Sequence, residues 1–292
     1  MPSQDGCIRK KVLTIAGSDC SGGAGIQADL KTMTAHGIYG MSVITAITVQ
    51  NTLGVTRAEQ VCAELVKGQF DAVCSDILPD AVKTGMLFSA DIIDIAACKI
   101  KEYNLKNIVV DPVLVSTSGN RLLEPSAESV LIEKLLPLAI LITPNIPEAE
   151  ALSGISIHSK EDMVLAASKL CQSSGANVLV KGGHSTSDAD DLLYCTEATA
   201  GSLIPDGSRI TWFYGERIKT HNTHGTGCTL SSAIACNLAY GMDIITAVSS
   251  AKDYLSGALK PGLCLGSGNG PVDHCFSINK EPANKKPHLL FV

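Results

Sequence analysis

The chain has 292 residues, 45% hydrophobic and 4% aromatic, with 23 basic against 29 acidic side chains and a formal net charge of -6. That length suits one large α/β domain or two small ones, and its core must be built from Val, Ile, Leu and Ala. The acidic balance argues against nucleic acid as a partner, no apolar run approaches the ~18 residues of a membrane span, and "MPSQDGCIRKKVLTIAG" lacks the apolar stretch of a signal peptide.

In chain order, strand and helix signals alternate. "VLTIAG" is a short apolar run ending in glycine, and "GIQADLKTMTAHG" places Ile26, Leu30 and Met33 at helical spacing. "MSVITAITVQ" reads as a strand buried on both faces. "AELVKGQFDAVCSD" is a helix, "DAVKTGML" a strand and "ADIIDIAACKIKEY" a helix. "NIVVDPVLV" is a strand, "SAESVLIEKLLP" a helix and "AILITPN" a strand. Helical patterns surround Glu148 to Leu152 and Glu161 to Cys171, and "ANVLVKGG" is a further strand. This rhythm predicts right-handed βαβ crossovers, a parallel sheet and helices on both faces. "DLLYC" and "ITWFYGERI" break it as antiparallel strands at one edge. Two helices follow, near Thr226 to Tyr240 and Asp243 to Leu259. No repeat or interdomain linker interrupts the chain. The expected organisation is an N-terminal extension over 1–11, one domain over 12–275 and a polar tail or linker over 276–292. The 11 cysteines are scattered, with no C-x-x-C pair. They read as small buried hydrophobes in a reducing, cytoplasmic location, not as a disulfide framework or zinc site.

In such sheets ligands bind beyond the carboxyl ends of the strands. The informative residues are therefore Ser18 and Asp19, Gln50 and Asn51, Gly85 and Met86, Asp111, Asn145 with Glu148, and Lys181 to His184. "AGSDCSGGAGIQADLKT" has no P-loop lysine and no G-x-G-x-x-G, so alone it is a tight turn, with Asp29 a solvated charge. Asp111, ending a buried strand, needs compensation. It is either a hydrogen-bonded structural carboxylate or part of a cation site. Asn145 and Glu148 read equally as a helix cap with a first-turn acid or as oxygen ligands beside a phosphate-bound Mg²⁺. Lys181 ends a buried strand with two glycines behind it, which suits an anionic partner. "HGTGCTLSSAIA" combines a glycine turn at a helix N-terminus, an anion hole, with a first-turn cysteine of lowered pKa. Alone, Cys228 reads as buried and inert. Beside Asp111, Glu148 and Lys181 the set supplies what phosphoryl transfer needs.

The motifs "TIAGSDCSGGAGIQADLKT", "VITAITVQNT", "KTGM", "VVDPV", "LITPNIPEAEAL", "VKGGH", "NTHGTGCT" and "GNGPVDH" run collinearly from about Val12 to His274. Together they resemble the hydroxymethylpyrimidine/phosphomethylpyrimidine kinases of thiamine biosynthesis, in the ribokinase-like superfamily. The resemblance implies a three-layer α/β/α fold with a mostly parallel central sheet. It implies two ATP-Mg²⁺-dependent phosphorylations of 4-amino-5-hydroxymethyl-2-methylpyrimidine, to the monophosphate and then the pyrophosphate. By the same resemblance Gln50 recognises the pyrimidine, whose amino and ring-nitrogen edge its amide complements. Gly17, Ala24, Val49 and Met86 line that pocket with Asp29 nearby. Asp111 and Glu148 are the magnesium-side acids, and Asn145, Lys181 and Thr223 lie along the nucleotide phosphates. Gly225, Thr226 and Gly227 form the anion hole, and Cys228 is the base. A homodimer is expected, and a need for a monovalent cation is left open. The chain departs from the family at Cys20, where proline is usual. Loops that could close are the segment after His184 and the "KTGM" region. The alternatives are a pyridoxal or pyridoxine kinase, a catalytically silent binding module, and one module of a longer pathway enzyme.

Overall fold

The computed structural model describes residues 9–114, 123–124, 127–183, 190–203, 209–215, 218–260 and 262–278. The first half forms β1 (Lys11–Asp19), α1 (Gly25–Ala35), β2 (Tyr39–Asn51), β3 (Gly54–Gln60), α2 (Ala63–Cys74), β4 (Ala81–Thr84), α3 (Ala90–Glu102) and β5 (Ile108–Val110). Then come α4 (Ala127–Val130), running on through a π turn (Leu131–Leu135) and a 3-10 turn (Leu136–Leu138), and β6 (Leu141–Ile142). α5 (Ile146–Ser153), α6 (Lys160–Ser174), β7 (Asn177–Val180), β8 (Asp191–Tyr194), α7 (Glu197–Leu203) and β9 (Ile210–Phe213) follow. The last helices are α8 (Thr226–Ala239) and α9 (Ile244–Leu259). The tail beyond residue 278 and the segment after His184 lie outside the described residues.

The nine strands make one sheet in the order β3-β2-β1-β4-β5-β6-β7-β8-β9. From β2 to β7 every pairing is parallel. β8 and β9 add the expected antiparallel pair at one edge. The opposite edge carries an antiparallel strand too, because β3 folds back on β2. Its sequence, "GVTRAEQ", is too polar to announce a strand.

Side chains alternate across the sheet with period two. Leu13, Ile15, Val82, Val110 and Val178 join α2, α3, α5 and α6 on one face. Val12, Val109, Leu141 and Leu179 join α1, α8 and α9 on the other. The result is three layers. β2 is not buried on both faces: Val43 is fully buried, but Ile47 and Val49 are more than half exposed. β2 outruns the core at its carboxyl end and is flanked there by β3, which leaves one face open.

β1 leads to β2 on one side, whereas β4 returns on the other. That reversal opens a crevice beyond the carboxyl ends of β1 and β4. α8 packs against α1, β1, β4 and β5 with its first turn towards that rim.

Candidate active site

Asp111 follows β5 and is 2% exposed. A carboxylate so deep needs donors. Lys181 Nζ donates to Oδ1 at 2.9 Å, Thr143 Oγ1 to Oδ1 at 3.3 Å, and Ser231 Oγ, from α8, to Oδ2 at 3.3 Å. Lys181 is placed by its own backbone: its N–H donates to Pro144 O at 2.8 Å, and it bridges Asn145. Burial disfavours its charge, but Asp111 and Glu148 outweigh that and hold the ammonium above the usual lysine range.

Asn145 and Glu148 form the capping box of α5. The Asn145 side chain accepts the Glu148 N–H at 2.9 Å, and Glu148 Oε2 accepts the Asn145 N–H at 2.9 Å. Glu148 is nonetheless buried beside Asp111. Burial pushes its carboxyl well above the usual range, and Asp111 adds to this. Lys181 and the backbone N–H groups of Asn145 and Leu114 pull it back only partly. The folded protein therefore holds this proton more tightly than the unfolded chain, and stability falls as pH rises through and above the ordinary glutamate range. Glu148→Gln, which preserves the capping box, is expected to raise Tm by about 2–4 °C near pH 8. Near pH 4 the two proteins should melt together; a gain equal at both values would assign the effect to packing.

α8 starts at a glycine turn. Gly225, its N-cap, sits at φ 82° in the left-handed region, and a Cβ there would run into the Gly23 carbonyl. A Cβ on Gly227 would stand 3.5 Å from both Asp111 Oδ2 and Lys181 Nζ. The turn and the ion pair are therefore neighbours. Thr226 and Thr223 belong to the same turn, with the Thr226 N–H donating to Thr223 O at 3.4 Å. First-turn N–H groups have no partner within their own helix, so they face outward to whatever lies at the rim.

Two expectations require correction here. Cys228 is half-buried and its thiol is not activated: burial pushes it up to about 11. Asp29 and Asp111 push the same way, and Lys83 with the Gly25 N–H only moderates the rise. Asp29 is neither a solvated charge nor a pocket residue, because it is fully buried. Its Oδ2 accepts from Lys83 Nζ at 2.8 Å and Thr14 Oγ1 at 2.6 Å, and its Oδ1 from Ser232 Oγ at 2.8 Å. Lys83, also fully buried, is held above the lysine range, since Asp29, Cys228 and Asp111 overcome its desolvation.

Elsewhere on the rim, Met86 Sδ would lie 3.3 Å from a Cβ on Gly17, so these two residues lie side by side. Ala24 caps α1. Gln50 is half-buried near the end of β2, and Val49 beside it points outward, 55% exposed. From the sequence Asp19 is expected only as a residue of the strand-end rim, and Lys83, Ser231, Ser232 and His224 carry no role there. Asp19 is the most connected of them: 2% exposed, it accepts from Ser21, Gly23, Ala24 and His224. These bonds hold its carboxyl far below the usual range against its burial. A run of small residues directly after "SD" was the available signal, since such a loop turns successive N–H groups inward.

The sequence profile described as phosphomethylpyrimidine kinase matches residues 19–273. The chain belongs to the phosphomethylpyrimidine kinase family. Within and around this family, a Rhizobium meliloti hydroxymethylpyrimidine/phosphomethylpyrimidine kinase is 50% identical, over 90% of this chain and 96% of its own. The solved phosphomethylpyrimidine kinase of Clostridium difficile 630 is 47% identical at a TM-score of 0.74, covering 86% of this chain and 100% of that one. An ADP complex of Bacillus subtilis pyridoxal kinase is 37% identical at a TM-score of 0.81, covering 92% and 99%. The chain spans about half the length of the bifunctional thiamine biosynthesis proteins it also matches. Among the described residues, no helix is long and apolar enough to cross a membrane.

Proposed function

We propose that this chain phosphorylates 4-amino-5-hydroxymethyl-2-methylpyrimidine with ATP, first to the monophosphate and then to the pyrophosphate, as a kinase of thiamine biosynthesis. The observation that carries this reading is the meeting of the Asp111–Lys181 pair with the Gly225–Gly227 turn, where a Cβ on Gly227 would stand 3.5 Å from each member of the pair. A cation and a row of helix N–H groups there stabilise charge on a phosphoryl group in transfer. In the first step the hydroxymethyl oxygen bonds to the γ-phosphorus, the bond from that phosphorus to the bridging oxygen breaks, and the hydroxyl proton passes to the Cys228 thiolate.

Asp111 and Glu148 suit Mg²⁺ as hard, buried carboxylates. Among the described residues no third acid, histidine or cysteine completes a cage. The protein would hold the ion through these two, with phosphate oxygens and water as its other ligands. When bound, it neutralises phosphate charge. Lys181 is read as a clamp on the transferred group, so Lys181→Ala should lower kcat roughly 10²-fold while the pyrimidine KM stays within about twofold. A KM rise at constant kcat would move Lys181 to ground-state binding.

A second reading, phosphorylation of pyridoxine-type vitamers, is supported by the close overlay on a pyridoxal kinase. One assay separates the readings. The protein is incubated with ATP-Mg²⁺ and either the hydroxymethylpyrimidine or pyridoxine, and mono- and diphosphate are resolved over time. Diphosphate from the pyrimidine supports the proposal. Turnover of pyridoxine alone supports the second reading, and binding of either without turnover marks a silent module.

A further inference from the structure

The Asp19 carboxylate sits between the loop that follows β1 and the turn that leads into α8. Its Oδ1 accepts the Ser21 N–H at 2.8 Å and the Ser21 hydroxyl at 2.7 Å. Its Oδ2 accepts the N–H groups of Gly23 at 3.0 Å and Ala24 at 2.7 Å, and lies 2.8 Å from His224 Nε2. Ala24 is the N-cap of α1 and has no side-chain acceptor of its own, so Asp19 supplies one from five positions upstream. One carboxylate therefore serves the approaches to two helices.

The donors around Asp19 fix the hydrogen of the histidine. Each carboxylate oxygen already accepts a backbone N–H, and a carboxylate so surrounded is ionised and only accepts. The hydrogen must then lie on His224 Nε2, and the bond is charge-assisted. It is also sheltered, with the Asp19 side chain 2% exposed and that of His224 17%.

The turn is held from two sides. The His224 N–H donates to Gly270 O at 3.0 Å and the Gly270 N–H to His221 O at 3.1 Å, so the backbone is tied to the segment at 270–271. The ring reaches the other way, over Gly23, where an added Cβ would collide with it. Gly225, the next residue, has no room for a side chain against the Gly23 carbonyl. The ring and Gly23 thus set how the glycine turn stands against the loop after β1.

We infer that Asp19 and His224 are positioning residues for phosphoryl transfer: their bond clasps the turn before Cys228 to the loop after β1 and so fixes where the Gly225–Gly227 N–H groups point. The inference rests on the reading of that turn as the anion hole. Charge grows on the transferred group in the transition state, so displaced N–H groups lose more there than in the ground-state complex. The clasp therefore governs rate more than acceptor binding.

The test compares H224Q with H224L on the full chain. Both side chains fill space against Gly23, but only glutamine carries an NH₂ that replaces the Nε2 hydrogen as donor to Asp19. H224L should lower kcat for the hydroxymethylpyrimidine roughly 10- to 100-fold and leave its KM within about twofold. H224Q should return kcat to within about threefold of the wild type. Equal kcat in the two variants, or a loss confined to KM, would overturn the inference, because a packing role moves both variants alike. If H224L does not melt cooperatively, G23A takes its place, since its methyl displaces the ring and leaves the carboxylate intact. A kcat loss of about tenfold or more at unchanged KM supports the clasp there, and an unchanged kcat overturns it. If the wild type phosphorylates pyridoxine and not the pyrimidine, the reading of the substrate fails, and the same comparison on pyridoxine still decides the clasp. If it turns over neither ring, the readout becomes ATP-Mg²⁺ affinity. A Kd raised about fivefold or more in H224L and unchanged in H224Q then supports the clasp, and equal values in the two variants overturn it.

Discussion

Cys228→Ala will slow phosphorylation of the alcohol by about 10²- to 10⁴-fold, the span of a lost general base, and will leave phosphorylation of the monophosphate within about tenfold. The two acceptors differ in the proton they must shed. A hydroxymethyl group keeps its proton until the new bond forms. A phosphate monoester is already largely ionised near neutral pH, its second pKa being ~6. The thiol is pushed up to about 11 by burial and by Asp29 and Asp111. It therefore rests as SH and must lose its proton to solvent before it can take another. For the wild type, kcat/KM of the first step should climb nearly tenfold per pH unit between about pH 6.5 and 8.5. The second step should lack that slope, and Cys228→Ala should abolish it in the first. Single-turnover assays that resolve the two products give both rates. Equal losses in both steps would make Cys228 a packing residue of the turn.

Lys83→Met is the change expected to cost most in stability. Lys83 and Asp29 are both fully buried and bonded at 2.8 Å. Removing the cation leaves a carboxylate in the core with only the Thr14 and Ser232 hydroxyls to satisfy it. Breaking one side of such a pair costs about 3–5 kcal/mol, a large share of the 5–15 kcal/mol typical of a whole domain. The urea midpoint near pH 7 should drop accordingly. Lys83→Met combined with Asp29→Leu, which removes both charges, should recover most of the loss. A single-variant shift below about 0.5 kcal/mol would mean that water or a rearranged side chain reaches Asp29.

These two cases also mark how far the sequence could be read. The alternation of apolar runs showed the parallel sheet, its carboxyl-end rim and the edge pair β8–β9, because buried parallel strands are continuous Val, Ile and Leu. Asp111, Lys181, Glu148 and Gly225 to Gly227 were visible as polar or glycine residues placed where such strands end or a helix begins. Asp29 was legible in principle and misread: with Ile26 and Met33 it lies at spacings of three and four on the buried stripe of α1. Its cation, Lys83, sits 54 positions away in a strand that otherwise looks apolar. Neither charge alone announces the pair, and burial of one is tolerable only because of the other. The thiol was misjudged for a related reason. A helix N-terminus can be read from sequence, but the flanking carboxylates and the lost water belong to the folded neighbourhood. β3 escaped because its contacts are backbone ladder bonds that polar side chains do not reveal.

The contact between Asp19 and His224 spans 205 positions, and this bears on how the protein is made. A ribosome delivers the loop after β1 long before the turn that completes it. Until residue 224 has cleared the exit tunnel, the donors around Asp19 lack their histidine, and Gly23 has no Gly225 to nest against. Fragments ending before that turn will carry most of the sheet with an unfinished rim. Closing so long a loop comes late and slowly in folding. The nascent chain therefore carries an unfinished rim while the 205 positions between the two residues are made, and the loop after β1 and the turn into α8 are completed together.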